Sequence, residues 1–176
     1  MALFGVLTGL HLAIMQFSYF FVLLIGVTST YITYMTLVLS WMAGTLIGLF
    51  WRRLNAFLAL VAGVAAYYLV FLMVVTDPLS PATSPVSALG VGVTGLWAGR
   101  FFVVMLPRFA RADALFFHEN NGFLLGIVGV FVGFSLLGRP FLEWTPLISV
   151  GVLVVYYAGV LRAERRAPRD VSGIAE

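Results

Sequence analysis

The chain has 176 residues, of which 62% are hydrophobic and 10% are charged, with a formal net charge of +3. A soluble domain ordinarily carries about 25% charged residues, so this composition excludes an ordinary soluble fold and indicates a protein of the lipid bilayer. The chain has no cysteine, which excludes disulfides, thiolate metal sites and cysteine nucleophiles.

Hydrophobic runs along the chain predict six transmembrane helices, because a bilayer-spanning helix takes about 20 predominantly apolar residues. The fifth run is the least clear, since its fully apolar part covers only 122–137. A start near Ala112 makes that helix long enough and places the polar residues 118–121 inside it. The predicted spans are 3–25, 31–50, 54–75, 86–106, 112–137 and 146–161.

These spans define one domain. We predict an all-α, polytopic bundle of about six transmembrane helices over residues 1–162, followed by a polar cytoplasmic tail over 163–176. The N-terminus has neither a basic region nor a small-residue cleavage site, so we expect a retained first span rather than a signal peptide.

Arginines set the predicted orientation. If there are six spans, only Arg139 falls on one side of the membrane. The positive-inside rule then places both termini in the cytoplasm of a bacterial inner membrane. Aromatic residues at the predicted span ends, Tyr31, Trp51 and Trp144, suit the membrane–water interface. The arginines of the other side are Arg52, Arg53, Arg108, Arg111, Arg162, Arg165, Arg166 and Arg169.

Glycines recur four residues apart along the spans, a spacing that puts both on one helix face and lets a neighbouring backbone come close. We expect packing within the chain, with a dimer interface as the alternative. The segments MAGTLIG, residues 42–48, and NNGFLLG, residues 120–126, occupy corresponding places in a three-plus-three arrangement and suggest an internal repeat. The glycine pairs are Gly44 and Gly48, Gly95 and Gly99, Gly122 and Gly126, and Gly129 and Gly133.

One order of residues runs along nearly the whole chain: Gly9, Gln16, residues 26–31, Met42, Gly44, Gly48, Arg52, Arg53, Glu119, Gly122 and Gly126. This order resembles a known family, the membrane domain of bacterial spermidine-synthase-like membrane proteins. That resemblance implies a compact inner-membrane helical bundle similar to half of a major-facilitator transporter, and polyamines as the substrate by analogy. The soluble aminopropyltransferase domain common in the family has no counterpart here, since no strand–Gly-x-Gly–helix unit is present. Only the membrane portion therefore carries over.

Several polar residues fall at membrane depth, where ionisable groups are costly and need partners. We predict that Arg100 pairs with Glu119. The pair can be structural, locking two helices in register, or it can form a substrate or proton site. A third alternative places Glu119 at the membrane interface, where water solvates it. Of these we favour the structural interpretation. The other members of this predicted polar cluster are His118, Asn120, His11 and Gln16.

The sequence predicts no cofactor and no metal site. A single buried histidine such as His11 can ligate a haem or pigment, but no second histidine follows at ligand spacing. His118 and Glu119 are neighbours that point about 100° apart on a helix, which does not suit a metal. They form the one acid–base pair that a lipid-modifying enzyme would need, and no catalytic constellation accompanies them.

Two functions follow from these features. The first is a transport-like or substrate-handling membrane component. A polyamine is a polycation, and its binding within the bundle requires several facing carboxylates. The chain has only Glu119 and Asp113, and Arg100 would repel the cation. An anionic or neutral solute therefore fits as well. The second is a non-catalytic anchor or scaffold subunit of an enzyme or electron-transfer complex. The expected partners are the lipid bilayer and either a second copy or a separately encoded protein, and not nucleic acid.

Overall fold

Six α-helices form the part of the chain that the structure, a computed structural model, describes: residues 1–109 and 111–166. A single 3₁₀ turn, Leu106–Arg108, follows the fourth helix. All six helices are long and apolar enough to cross a membrane, so the chain is a multi-pass membrane protein. The helices are α1 Ala2–Gly26, α2 Tyr31–Phe50, α3 Ala56–Thr76, α4 Thr83–Met105, α5 Ala112–Leu137 and α6 Arg139–Arg166.

The predicted spans agree with these helices to within one residue except at the starts of the third, fourth and sixth and at the end of the sixth. The fourth was predicted from residue 86, whereas α4 begins at Thr83 and includes Pro85 in its first turn. The third was predicted from residue 54, but Asn55 caps α3 by accepting hydrogen bonds from the N–H groups of Phe57 and Leu58. The sixth was predicted from residue 146, whereas α6 begins at Arg139. The predicted tail begins inside α6, which continues to Arg166, and residues 167–176 lie outside the described part of the chain.

The early start of α6 runs the helix through Pro146. Proline has no N–H to donate to the carbonyl four residues earlier, which here is that of Leu142. The hydroxyl of Tyr67 on α3 donates to that carbonyl instead, at 2.8 Å. The helix therefore tolerates the proline because a neighbouring helix supplies the missing donor, as membrane helices require.

The helices pack mainly as two parallel pairs, α1 with α5 and α2 with α4, while α3 packs on α4 and α6 on α1. Helices α1 and α4 are the most buried. Helices α2 and α5 keep large apolar faces on the outside. The aromatic residues predicted for the interface, Tyr31, Trp51 and Trp144, are all exposed.

Glycines bring both pairs of helices into backbone contact. A Cβ on Gly9 of α1 would overlap the carbonyl of Glu119 on α5, and a Cβ on Gly95 of α4 would crowd the carbonyl of Trp41 on α2. Gly95 lies 86 positions after Gly9, and Glu119 lies 78 positions after Trp41. The same two offsets relate other contacts of the two pairs.

A second set of glycines shows the same offsets. Gly44 meets the backbone of Gly92, and Gly122, 78 positions later, meets that of Val6. Gly48 meets the backbone of Leu96, just as Gly126 meets that of Leu10. These contacts relate α1 to α4 and α2 to α5, as the three-plus-three repeat suggested by the sequence predicts. Because each half has an odd number of spans, the two halves run in opposite directions across the membrane.

The last predicted glycine pair behaves differently. A Cβ on Gly133 would overlap the ring of Phe141 on α6, so this glycine packs as expected. A Cβ on Gly129 would meet nothing within 4 Å. The prediction that Gly129 serves helix packing is therefore wrong within the chain, since Gly129 lies on the exposed face of α5.

Candidate functional site

The buried polar groups of the bundle gather around α1, the helix that contacts most of the others. Tyr19 is fully buried, and its hydroxyl lies 3.2 Å from that of Thr94 on α4. The Thr94 hydroxyl oxygen is also 3.0 Å from the carbonyls of Gly63 on α3 and Gly90 on its own helix. Tyr19 thereby links three helices through one pair of hydroxyl groups. In a hydrocarbon environment no water can replace these hydrogen-bond partners, so the groups must satisfy one another.

A second tyrosine extends this network. The ring of Tyr67 packs edge-on against that of Tyr19, with centroids 5.0 Å apart, and its hydroxyl donates to the Leu142 carbonyl. The neighbouring Tyr68 hydroxyl donates to the carbonyl of Glu143 at 2.7 Å. Helix α6 is thus joined to the same centre.

His11 lies on a different side of α1. It is 2% exposed, and its Nδ1 is 2.8 Å from the hydroxyl of Ser149 on α6. That hydroxyl also lies 2.9 Å from the carbonyl of Pro146. If Ser149 donates to this carbonyl, it accepts from the Nδ1–H of His11, which fixes the tautomer of the ring.

Glu119 faces the opposite side of α1, against Gly9, two residues and therefore about 200° away from His11. The residue is 7% exposed, and no residue in the described chain supplies a hydrogen bond or an ion pair to its carboxyl group. His118 lies beside it, with its Cβ close to Gly5 and its ring near Phe109.

Arg100 does not reach this carboxyl. Its Nε donates to the carbonyl of Leu54 at 2.8 Å and its Nη2 to that of Arg52 at 3.0 Å. The guanidinium therefore holds the loop between α2 and α3, where carbonyls at a helix end are left without intrahelical donors. The ion pair that we expected between Arg100 and Glu119 is absent, because α4 packs against α2 and α3 while Glu119 faces α1.

The predicted polar cluster is consequently divided among separate surroundings. His11 faces α6, Glu119 and His118 lie at the α1–α5 contact, and Arg100 binds a loop. Gln16 is half-buried on α1, while Asn120 is exposed. Whether any of these groups acts in a reaction or a transport step stays a prediction.

We did not predict the hydroxyl groups that join the helices, which are those of Tyr19, Tyr67, Thr94 and Ser149. Two signals were present. One is the tripeptide Thr-Gly-Leu, which occurs at residues 8–10 and again at 94–96. The other is Pro146 within an apolar run, which demands an outside donor.

The buried charged and imidazole groups break the repeat that the glycines obey. Glu119 occupies the place that Trp41 holds in the first half, and His11 occupies the place that Trp97 holds in the second. One helix pair, α1–α5, therefore carries polar groups where the other pair, α2–α4, carries indoles. Whether this difference serves the function of the protein stays a prediction.

The described residues contain no group of three or more histidine, aspartate or glutamate side chains that could bind a metal ion. No family model, curated protein or solved structure matches the chain. The fold and its contacts therefore define the class, a multi-pass helical membrane protein.

Proposed function

We propose that this chain is a transport-like inner-membrane protein that binds a small solute between two inverted three-helix halves. The single observation behind the proposal is the equivalence of the α1–α5 and α2–α4 contacts, in which glycines at fixed offsets meet the same backbone atoms. Inverted repeats are the common framework of secondary transporters, whose solute and ion sites lie where the repeats meet.

Glu119 is the group that we assign to the solute or to a coupling proton. Its side chain is largely buried and has no cationic partner in the described chain, and intramembrane ionisable residues of this kind commonly mark solute pathways or proton relays. The Arg100 guanidinium is turned to the loop carbonyls of Leu54 and Arg52 and makes no contact with Glu119, so it does not stand beside a cation bound at that carboxyl group. Polyamines, the substrate suggested by the resemblance to spermidine-synthase-like membrane domains, therefore belong in the solute panel beside neutral and anionic compounds.

Uptake into proteoliposomes tests this proposal. Purified protein is reconstituted and offered radiolabelled polyamines, amino acids, organic anions and neutral solutes, with and without a pH gradient. We expect accumulation of at least one class, lost in Glu119→Gln. Asp113→Asn is the matched control, because Asp113 is an exposed acid on the same helix that already pairs with Arg111. Accumulation of no solute by folded protein contradicts the proposal, and loss in both variants contradicts the role of Glu119.

A second function, a non-catalytic membrane subunit, draws support from the cavities. The cavities of about 320 and 410 Å³ between the helices are lined almost wholly by apolar side chains, which does not suit passage of a polar solute in this conformation. Native mass spectrometry of protein extracted in mild detergent distinguishes the two. A stable complex with other chains supports the subunit, whereas a monomer or homodimer favours the transport protein.

A further inference from the structure

A deep apolar cleft of about 320 Å³ lies between α3 and α6 at the end of the bundle that carries Arg52, Arg53, Arg108 and Arg111. We call this the arginine end. At the other end of their contact the two helices are joined by the hydroxyls of Tyr67 and Tyr68, which bind carbonyls near the start of α6. Between the start of α3 and the later turns of α6, side chains leave a space. Its lining includes Phe4, Leu60, Trp97, Met105, Leu153 and Tyr157.

Exposed residues of both α3 and α6 line the cleft, from which we infer that it opens between these two helices. Phe57 on its rim is 56% exposed, and Ala158 across from it is exposed as well. The inner wall is formed by buried side chains such as Phe4, Trp97 and Leu153. In a bundle that spans a bilayer, what lies outside such a rim is hydrocarbon. An occupant that enters from the side must therefore be apolar along most of its length.

A cation marks the outer end of the cleft. The guanidinium of Arg108 lies over the ring of Tyr157, 5.6 Å from its centroid, and Tyr157 lines the cleft. Arg108 is exposed and forms no ion pair with any acid in the described chain. A guanidinium presents a fork of donors that matches a phosphate. The site therefore joins an apolar slot to a phosphate-binding group at membrane-surface level.

We propose that this cleft holds one acyl chain of an anionic phospholipid from the surrounding leaflet, with the lipid phosphate bound by Arg108. Its volume is at the lower end of the roughly 300–1,000 Å³ of small-molecule pockets, which suits a single chain better than a whole lipid. Basic pockets between transmembrane helices are a recognised mode of binding anionic head groups. The site is independent of Glu119 and of any transported solute.

Tryptophan quenching by brominated lipid tests the proposal, because Trp97 lines the cleft and is otherwise shielded. The protein is reconstituted in phosphatidylcholine vesicles that contain a small fixed fraction of phosphatidylglycerol brominated on its acyl chains. A parallel set carries brominated phosphatidylcholine at the same fraction. The contribution of Trp97 is the difference between the wild-type protein and Trp97→Phe.

We expect the anionic lipid to quench Trp97 about fivefold more effectively than the zwitterionic one, the factor that one arginine near an anionic membrane surface supplies. Arg108→Gln should remove that preference. Arg111→Gln is the matched control, because this arginine lies at the same end but pairs with Asp113, and it should keep the preference. Ala158→Phe, which fills the rim, should lower quenching by both lipids.

Equal quenching of Trp97 by the two lipids overturns the assignment of Arg108. No quenching of Trp97, while the exposed Trp144 is quenched, shows that no chain enters and overturns the proposal entirely. If Trp97→Phe does not fold, protein that keeps all its tryptophans is used instead, and native mass spectrometry counts the phosphatidylglycerol molecules that it retains. Arg108→Gln should then retain one phosphatidylglycerol fewer than wild type and Arg111→Gln the same number; an unchanged count in Arg108→Gln refutes the site.

Discussion

Replacing Tyr67 with phenylalanine removes one hydroxyl and leaves the ring, so its contact with Tyr19 is kept. The lost hydroxyl is the donor to the carbonyl of Leu142, which Pro146 leaves without an intrahelical partner. Tyr67 and Leu142 are both buried, so no water replaces the lost hydroxyl as donor to the Leu142 carbonyl. An orphaned buried carbonyl costs about 1–3 kcal/mol, and hydrogen bonds between membrane helices have measured about 0.6 kcal/mol on average with a maximum near 1.7. We expect a loss of about 1.5 kcal/mol, near the top of that membrane range.

Pro146→Ala provides the internal test of this reasoning. Alanine restores an N–H to the carbonyl of Leu142, so Tyr67→Phe should then cost about 0.5 kcal/mol, close to an ordinary membrane hydrogen bond. The two substitutions should therefore be coupled by about 1 kcal/mol in a double-mutant cycle. Tyr68→Phe is the matched control. Its hydroxyl donates to the carbonyl of Glu143, but the residue four positions later, Leu147, has an N–H that can bond the same carbonyl within the helix.

The assay is reversible unfolding in mixed micelles by increasing the fraction of denaturing detergent, followed by circular dichroism or tryptophan fluorescence. The free energies of unfolding are compared for wild type, each single variant and the double variant. If Tyr67→Phe lowers stability by the same amount with proline or alanine at position 146, the account of the Leu142 carbonyl is refuted.

Two further predictions concern helix contacts. Gly9→Leu and its repeat counterpart Gly95→Leu should both prevent folding or cost more than about 3 kcal/mol, since each new side chain would collide with backbone, whereas Gly129→Leu should be tolerated; folded yield by size-exclusion chromatography separates them, and equal yields would contradict the packing. Arg100→Gln should destabilise by about 1–3 kcal/mol through the loop carbonyls it leaves unbound. Combined with Glu119→Gln, its effect on unfolding should be additive; a coupling above about 0.5 kcal/mol would restore the ion pair that we first expected.

The helices were predictable from the sequence because hydrophobic length alone specifies a membrane span. Tyr31–Phe50 and Ala112–Leu137 were predicted at their observed bounds. The start of α6 was not, because a proline was taken as a boundary. Its tolerance depends on Tyr67, a residue 79 positions away, and no local pattern carries that information.

The polar residues were found but wrongly grouped. Arg100 and Glu119 lie at similar predicted depths, and depth was the only coordinate that the sequence offered. Pairing also depends on which helices are neighbours and on which face each side chain lies. Here glycine contacts place Glu119 against α1, while Arg100 is turned to a loop. The same glycines were visible in the sequence, but their partners on other helices were not.

The two inverted halves have a consequence for how the chain enters the membrane. In the first half the arginines at the arginine end, Arg52 and Arg53, follow the second helix; in the second half Arg108 and Arg111 follow the first. The two three-helix halves therefore carry their loop arginines in different loops, after the second helix in one half and after the first helix in the other. The same glycine contacts occur in both halves although the halves are inverted, so these contacts do not set the orientation of a half. Loop charge is what directs insertion. We therefore expect the arginines of these loops to decide which aqueous phase each half faces during insertion.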